Sequence, residues 1–341
     1  MKDLVHLQKM IYPDLLHVMQ QRYSILYTIS LFYPIGRRGI VTQTALPERL
    51  VRKEIDFLHQ HGFIVTTTKG VEITREGKSI ISELHEFIRE LIGLTSLERE
   101  LEDRMLVDKV IVVAGDSDSE SFAKHELGRA TVAYLTEIIK EDVTIAVTGG
   151  TTMASVADAM VPIHQHECLF VPARGGIGEN VDYQANTIAA KMAQAENGDY
   201  RLLYVPDPLS EALYQTMIHE ESIRETLTYI RNAPIIIHGI GEALALAERR
   251  KSSHEVLDKL KETSATSEAF GYYFNKDGHI VHKLRTIGIQ LEDLVQTKTV
   301  VTVAGGRSKA KAIASYMKQR KSDILITDEA AANEMMKQEL I

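Results

Sequence analysis

The chain is poor in cysteine and has no long apolar run. One cysteine, Cys168, in 341 residues excludes an intramolecular disulfide, and its place in an apolar stretch suits a reducing compartment. No apolar run is long enough to cross a bilayer, and Met1-Lys-Asp-Leu-Val-His6 has none of the features of a secretory signal. A cytoplasmic protein without a membrane partner is expected. Catalytic signatures are missing too. There is no Gly-x4-Gly-Lys-[Ser/Thr] phosphate loop, and no Gly-x-Ser-x-Gly elbow for a serine hydrolase. Gly239-Ile-Gly241-Glu-Ala-Leu244 starts like a dinucleotide fingerprint but lacks the third glycine. His164-x-His166-x-Cys168 fits no common zinc spacing and reads as a strand edge with a core thiol. No catalytic residue, metal or cofactor is expected.

What is present is a globular composition, 44% hydrophobic and 25% charged, with length enough for two domains. The net charge of −8 hides an asymmetry. Residues 1–92 hold 12 basic and 10 acidic residues, and the rest of the chain carries a net charge of −10. A mildly basic head on an acidic body is compatible with DNA binding by an oligomer.

Pro13-Asp14 opens a helical pattern that Tyr33-Pro34-Ile-Gly36 breaks. A short helix follows over Arg37–Thr44, then a turn at Ala45-Leu46, then a helix over Pro47–His61 with Pro47 at its first position. Val51, Ile55 and Leu58 share one face of it, while Glu48, Arg49, Arg52 and Lys53 point elsewhere. Two short helices, a tight turn and a basic second helix are the parts of a helix-turn-helix. Residues 63–74 read as two strands around Lys69-Gly70, a wing placed to lie along a phosphate backbone. The DNA contacts are expected at Arg37, Arg38, Glu48, Arg49, Arg52 and Lys53. A seam of Ile81, Leu84, Ile88, Leu91, Leu94, Leu97 and Leu101 follows, interrupted at Gly93, and reads as packing on the body or as a dimer-forming linker. The expected division is 1–77, a winged helix-turn-helix; 78–105, a linker; and 106–341, an α/β body.

In the body, apolar runs at 110–114, 144–147, 168–171, 202–205, 235–238, 300–304 and 323–326 alternate with helical stretches. This predicts a doubly wound, mainly parallel sheet covered by helices on both faces. Residues 269–282 depart from the pattern and read as a hairpin around Asp277-Gly278, an excursion at the sheet edge. Ligands bind at the carboxyl ends of such sheets. The loops there are rich in glycine, and three of the four add a nearby cation or hydroxyl: Thr148-Gly-Gly-Thr-Thr152, Pro172-Ala-Arg-Gly-Gly-Ile-Gly178, His238-Gly-Ile-Gly-Glu242 and Ala304-Gly-Gly-Arg-Ser-Lys309. Gly149-Gly150-Thr151-Thr152 with Arg174, and Gly305-Gly306 with Lys309, form two glycine-turn helix starts, each suited to one phosphate.

Several motifs extend this reading: Tyr33-Pro-Ile-Gly-Arg-Arg38, Gly115-Asp-Ser-Asp118, Val147-Thr-Gly-Gly-Thr-Thr152, Phe170-Val-Pro-Ala-Arg-Gly-Gly176, Gln184-Ala-Asn-Thr187, His238-Gly-Ile-Gly-Glu-Ala243, Glu268-Ala-Phe-Gly-Tyr-Tyr-Phe274 and Val303-Ala-Gly-Gly306. With them the chain resembles, over its whole length, the sugar-responsive bacterial repressors of the sorbitol-operon and deoxyribonucleoside-regulator type. Ala45 and Pro47 depart from the glycine and serine that relatives often place in the reading head's turn. The resemblance implies a homo-oligomeric (dimeric or tetrameric) repressor of an operon for the triose-phosphate steps of glycolysis. Its partners would be operator DNA and a sugar-phosphate effector, fructose 1,6-bisphosphate. It implies effector contacts at Gly149, Gly150, Thr151, Thr152, Arg174, Gly175, Gln184, Arg249, Arg250, Glu268 and Lys309, in a body whose fold is shared with sugar-phosphate isomerases. Two alternatives stand beside it. One is an isomerase-like enzyme with a regulatory head, which needs a poised carboxylate such as Glu268 or Glu242. The other is an activator of the same fold.

Overall fold

A computed structural model describes residues 11–341 apart from 45, 164–165, 177–179, 208, 320–321 and 339. The chain forms two compact units, Met1–Ser96 and Leu97–Ile341.

The first unit contains α1 (Pro13–Phe32), α2 (Arg37–Thr44), α3 (Glu48–Gln60), β1 (Ile64–Thr67), β2 (Gly70–Ile73) and α4 (Arg75–Ile92). Val51, Ile55 and Leu58 of α3 are buried as their spacing predicts, in a core with Ile25 and Ile29 of α1 and Ile40 of α2. Pro47 is not the first residue of α3. Its extended ψ of 137° makes it the N-cap, while its carbonyl accepts the Leu50 and Val51 N–H groups. The turn residue Ala45 lies outside the described residues. β1 and β2 pair antiparallel, and Ile35 joins them by exchanging two backbone hydrogen bonds with Val71. Gly70 is required there. Its φ is +145°, and a Cβ would sit 2.9 Å from the Ile35 carbonyl. Thr74 caps α4 through the Gly77 N–H, and Gly93 ends it in the left-handed region. The apolar seam is therefore cut in two. Its first half packs Ile88 and Leu91 against Leu16, Met19 and Tyr23 of α1.

After Gly93 come α5 (Leu94–Met105), β3 (Lys109–Val113), α6 (Ser121–Ile138), β4 (Val143–Val147), α7 (Thr151–Asp158), β5 (Cys168–Pro172), α8 (Ala185–Glu196), β6 (Asp199–Tyr200), α9 (Glu211–Met217) and α10 (Glu221–Arg231). Then follow β7 (Ile235–His238), β8 (Gly241–Glu242), α11 (Ala243–Arg249), α12 (His254–Glu262), β9 (Ala265–Ala269), β10 (Tyr272–Asn275), β11 (Ile280–Lys283), β12 (Thr299–Val303), α13 (Ala310–Met317), β13 (Ile324–Asp328) and α14 (Glu329–Lys337). Seven strands form one parallel sheet in the order β3-β13-β12-β7-β4-β5-β6. Ile145, Val147, Ile235, Ile237, Val301, Val303, Ile324 and Ile326 pack with Leu127, Met153, Ile188 and Met192 of α6, α7 and α8. Their alternates Ala146, Ile236, Thr302 and Leu325 are also buried, on the opposite face. Burial on both faces is what the continuous apolar runs encode. α6 meets α7 at Gly128, where a Cβ would lie 2.2 Å from the Ser155 carbonyl oxygen.

Two expectations need correction. Residues 202–205 are not a strand; the ladder partner of β5 is β6. Further along, Asn186 takes the Leu203 N–H on Oδ1 and donates from Nδ2 to the Leu203 carbonyl, and Val205 accepts the Gly176 N–H, so these backbone groups of the run are satisfied outside a strand ladder. Residues 269–282 do form a hairpin, but not as an excursion of the main sheet. β10 and β11 belong to a second, antiparallel sheet in the order β11-β10-β9-β8. The turn Phe270-Gly271, with φ of +55° and +87°, joins β9 to β10.

Candidate functional site

In the parallel sheet the winding direction reverses between β4 and β7: the chain steps from β4 to β5 and β6, then returns to place β7 on the other side of β4. The carboxyl ends of these strands frame a crevice. Thr148 links its two walls by accepting the Gly239 N–H on its hydroxyl.

On the β4 wall, Gly150 is the N-cap of α7 with φ +120° and no capping side chain. Four other helices of the unit are closed by side chains of their own sequence, whereas α6, α8, α10 and α13 are not. Glu242 caps α11, Ser253 caps α12, Ser210 caps α9 and Asp328 caps α14. The start of α7, with the hydroxyls of Thr151 and Thr152, keeps its donors for an anion. Gly149 lets the turn press against the segment before α8, since a Cβ there would lie 2.5 Å from the Tyr183 carbonyl oxygen. Gly150 donates to that oxygen. The Gln184 carboxamide approaches Gly176 from the same segment. Gly175, against Val205, donates its N–H to the Ile287 carbonyl.

Arg174 is buried and paired with carboxylates inside the protein. It donates from Nε to Asp207 at 2.6 Å and from Nη1 to Glu268 at 3.0 Å, and Nη2 also pairs with Asp207. Arg250 donates to the same Glu268 oxygen at 3.0 Å and to the Tyr273 hydroxyl at 2.8 Å. The Gly271 N–H adds a third bond to Glu268. Two guanidinium groups and two carboxylates balance. Burial pushes the Glu268 carboxyl up, but Arg250 and Arg174 outweigh it and hold the group below its ordinary range. For Asp207 burial wins, and its carboxyl is raised despite Arg174. Arg250 Nε and Asp207 Oδ1 are left without a hydrogen-bond partner among the described residues, as is Arg174 Nη2, which meets Asp207 only as an ion pair.

The second glycine turn is not the anion grip that its sequence predicts. Asp328 accepts the N–H groups of Gly306 and Ser117, Asp118 accepts that of Ser308, and Asp116 accepts that of Arg307. The carboxylates of this chain fill the donors that a phosphate would need. Lys309 is different: no carboxylate lies within ion-pair distance of it among the described residues. Burial lowers its pKa, and Lys124 and Arg249 lower it further, against Asp118 and Asp328.

The structure thus brings Arg174, Arg250 and Glu268 into one cluster, places Gln184 beside the Gly149–Thr152 turn, and sets Arg249 within electrostatic reach of Lys309. Asp207, Tyr273 and Asp328 were not among the sequence candidates. The signal for Asp207 was its position between Pro206 and Pro208; Asp328 sits as a side-chain cap directly before α14. His164 of the discounted His-x-His-x-Cys stretch lies outside the described residues; Cys168 is buried, and burial pushes its thiol up to about 12.

In the first unit, Arg37 and Arg38 are exposed on α2, and Glu48, Arg49, Arg52 and Lys53 are exposed on α3. Arg49, Arg52 and Lys53 line a cleft with Asp56 and Gln60.

A family model for a sugar-binding domain matches residues 89–337, and a model for the CggR N-terminal DNA-binding domain matches residues 18–88. Over 339 residues the chain is 48% identical to the central glycolytic genes regulator of Priestia megaterium, with 99% of each chain covered. The chain belongs to the central glycolytic genes regulator family. The regulator of that name from Bacillus subtilis is 44% identical, over 99% of this chain and 100% of its own length. A SorC family transcriptional regulator of Enterococcus faecalis superimposes with a TM-score of 0.67 at 46% identity, covering 71% of this chain and 99% of its own. A central glycolytic genes regulator is a DNA-binding transcriptional regulator with a sugar-binding domain, not an enzyme. Among the described residues no helix is long and apolar enough to cross a membrane.

Proposed function

We propose that the protein is a cytoplasmic, homo-oligomeric repressor of central glycolytic genes whose operator binding is set by a sugar phosphate, fructose 1,6-bisphosphate. The observation that carries the effector reading is the start of α7 at Gly150-Thr151-Thr152, which no side chain caps and which carries two threonine hydroxyls, whereas the starts of α11 and α14 hold carboxylates of their own. One phosphate sits on the N–H groups and hydroxyls of that helix start. The second goes to Lys309 with Arg249, neither of which has a carboxylate within ion-pair distance among the described residues. Between them, the Arg174–Asp207–Glu268–Arg250 cluster is too evenly balanced to seek a further charge. Its unmet Arg250 Nε and Asp207 Oδ1 suit the hydroxyls of a sugar. Operator DNA is read by α3, with Arg52 at base edges and Arg37 and Arg38 on phosphates.

A gel shift on the region upstream of the glycolytic genes, with and without fructose 1,6-bisphosphate, tests the whole reading. Binding that the sugar bisphosphate weakens supports it; binding indifferent to the ligand rules out this effector.

A further inference from the structure

We infer that Arg22, a residue of α1 outside every basic motif of the head, is a phosphate contact for DNA and completes the cationic cleft along α3. The inference rests on the reading that the head binds DNA. Residues 49, 52, 53, 56, 57 and 60 form one stripe of α3, and with Arg22 they line a cleft of about 390 Å³. Four cations, Arg22, Arg49, Arg52 and Lys53, line it with one carboxylate, Asp56, and the buried Glu54 pairs with both Arg22 and Lys53.

Arg22 is held in an unusual way for a surface arginine. Its Nε donates to Glu54 at 2.6 Å, and its guanidinium lies 3.5 Å over the Phe57 ring. The Glu54 side chain is only 2% exposed, while that of Arg22 is 32% exposed. The pair is made through one N–H. The Nη1 and Nη2 groups have no hydrogen bond or ion pair among the described residues. A fork fixed by a ring and a buried carboxylate has already lost its rotamer freedom, and its outer edge matches the two oxygens of a phosphate. A purely structural role would need only the Nε–Glu54 bond. It would not need the outer edge of the fork to stand free at the rim of a cleft that holds three further cations.

Phosphate contacts have their own signature. Each one lost removes about 0.9 from the slope of log K against log salt on duplex DNA. The full-length protein is titrated with a random-sequence duplex of about 40 base pairs between about 50 and 200 mM salt, which avoids any dependence on the operator sequence. Arg22→Gln alone strands buried Glu54, so the decisive variant is Arg22→Gln/Glu54→Gln, with thermal unfolding as the control of fold. It is expected to unfold like wild type and to show a slope reduced by about 0.9 per head. Glu54→Gln alone and Arg22→Lys, which keeps the charge, are expected to hold the wild-type slope. A wild-type slope in the double variant, or a head that no longer folds, overturns the inference and leaves Arg22 a structural residue. Should Arg37→Ala/Arg38→Ala also leave the slope unchanged, the DNA reading of the head falls with it.

Discussion

Burial and two like charges, Lys124 and Arg249, lower the Lys309 pKa, so an anion brought beside it offsets that repulsion as well as forming a bond. A charge-assisted hydrogen bond contributes about 1.5–3 kcal/mol, and Lys309→Ala should weaken fructose 1,6-bisphosphate at least about tenfold by calorimetry. Thr152→Val removes a donor at the other end and should also lower affinity. Fructose 6-phosphate and glucose 6-phosphate should each bind more weakly than the bisphosphate. Equal affinities for the three would dismiss a site with two phosphate seats. A second residue-scale consequence concerns His238. It is buried between Phe270 and Tyr316, its Nδ1 donates to the Gly239 carbonyl, and its Nε2 accepts from Thr302. Burial pushes it down from 6.5 to about 4. Between those values the unfolded chain takes up a proton that the folded site refuses, so stability falls as pH is lowered through the window, by roughly 3 kcal/mol in all. Urea unfolding at about pH 7 and about pH 4.5 should show this loss, and His238→Phe should make the pH dependence shallower. Residue identities of this kind were partly legible. Arg174 and Glu268 stood out in their motifs, but their mutual pairing did not, because an ion pair joins residues 94 positions apart and leaves no local pattern.

Among the elements, α7 shows how a helix is placed as well as what it can bind. Gly128 of α6 allows the Ser155 turn of α7 to come so close that an added Cβ would meet its carbonyl oxygen at 2.2 Å. Gly128→Ala should therefore push α7 away, lower stability by about 1–3 kcal/mol and reduce the thermal midpoint. Effector affinity should fall with it, because the same helix presents Thr151 and Thr152. An unchanged midpoint would show that the two helices separate freely. Six of the seven apolar runs in the body are strands of the parallel sheet, since β-branched runs buried on both faces are readable without knowing their partners. Residues 202–205 have the same composition, yet the Asn186 side chain takes both backbone groups of Leu203, and composition cannot report that. Nor did the sequence disclose that Asp116, Asp118 and Asp328 occupy the N–H groups around Gly306. The glycines mark a tight turn correctly, and they say nothing about which anion fills it.

At the scale of the whole molecule, residues 97–341 contain both sheets of the second unit and every group proposed to touch the effector. A fragment of these residues should fold alone and bind fructose 1,6-bisphosphate with an affinity close to that of the full chain, as calorimetry can measure. A fragment that fails to bind although folded would move part of the site outside this unit. The division into a head and an α/β body was open to sequence reasoning, because the helical period gives way to alternating apolar runs. The boundary residue was not, since the helical pattern runs past Gly93 without a change of composition. The outer margin of the sheet has a further consequence, for solubility. β6 is two exposed residues long, and beyond it Asn186 holds both backbone groups of Leu203 as a neighbouring strand would. That amide closes the margin to strand addition by another chain, the route by which exposed sheet edges aggregate. Asn186→Ala would free a donor and an acceptor next to Tyr204, which is 76% exposed. The variant should scatter light at concentrations where wild type stays clear, so one asparagine keeps a parallel sheet from becoming a template.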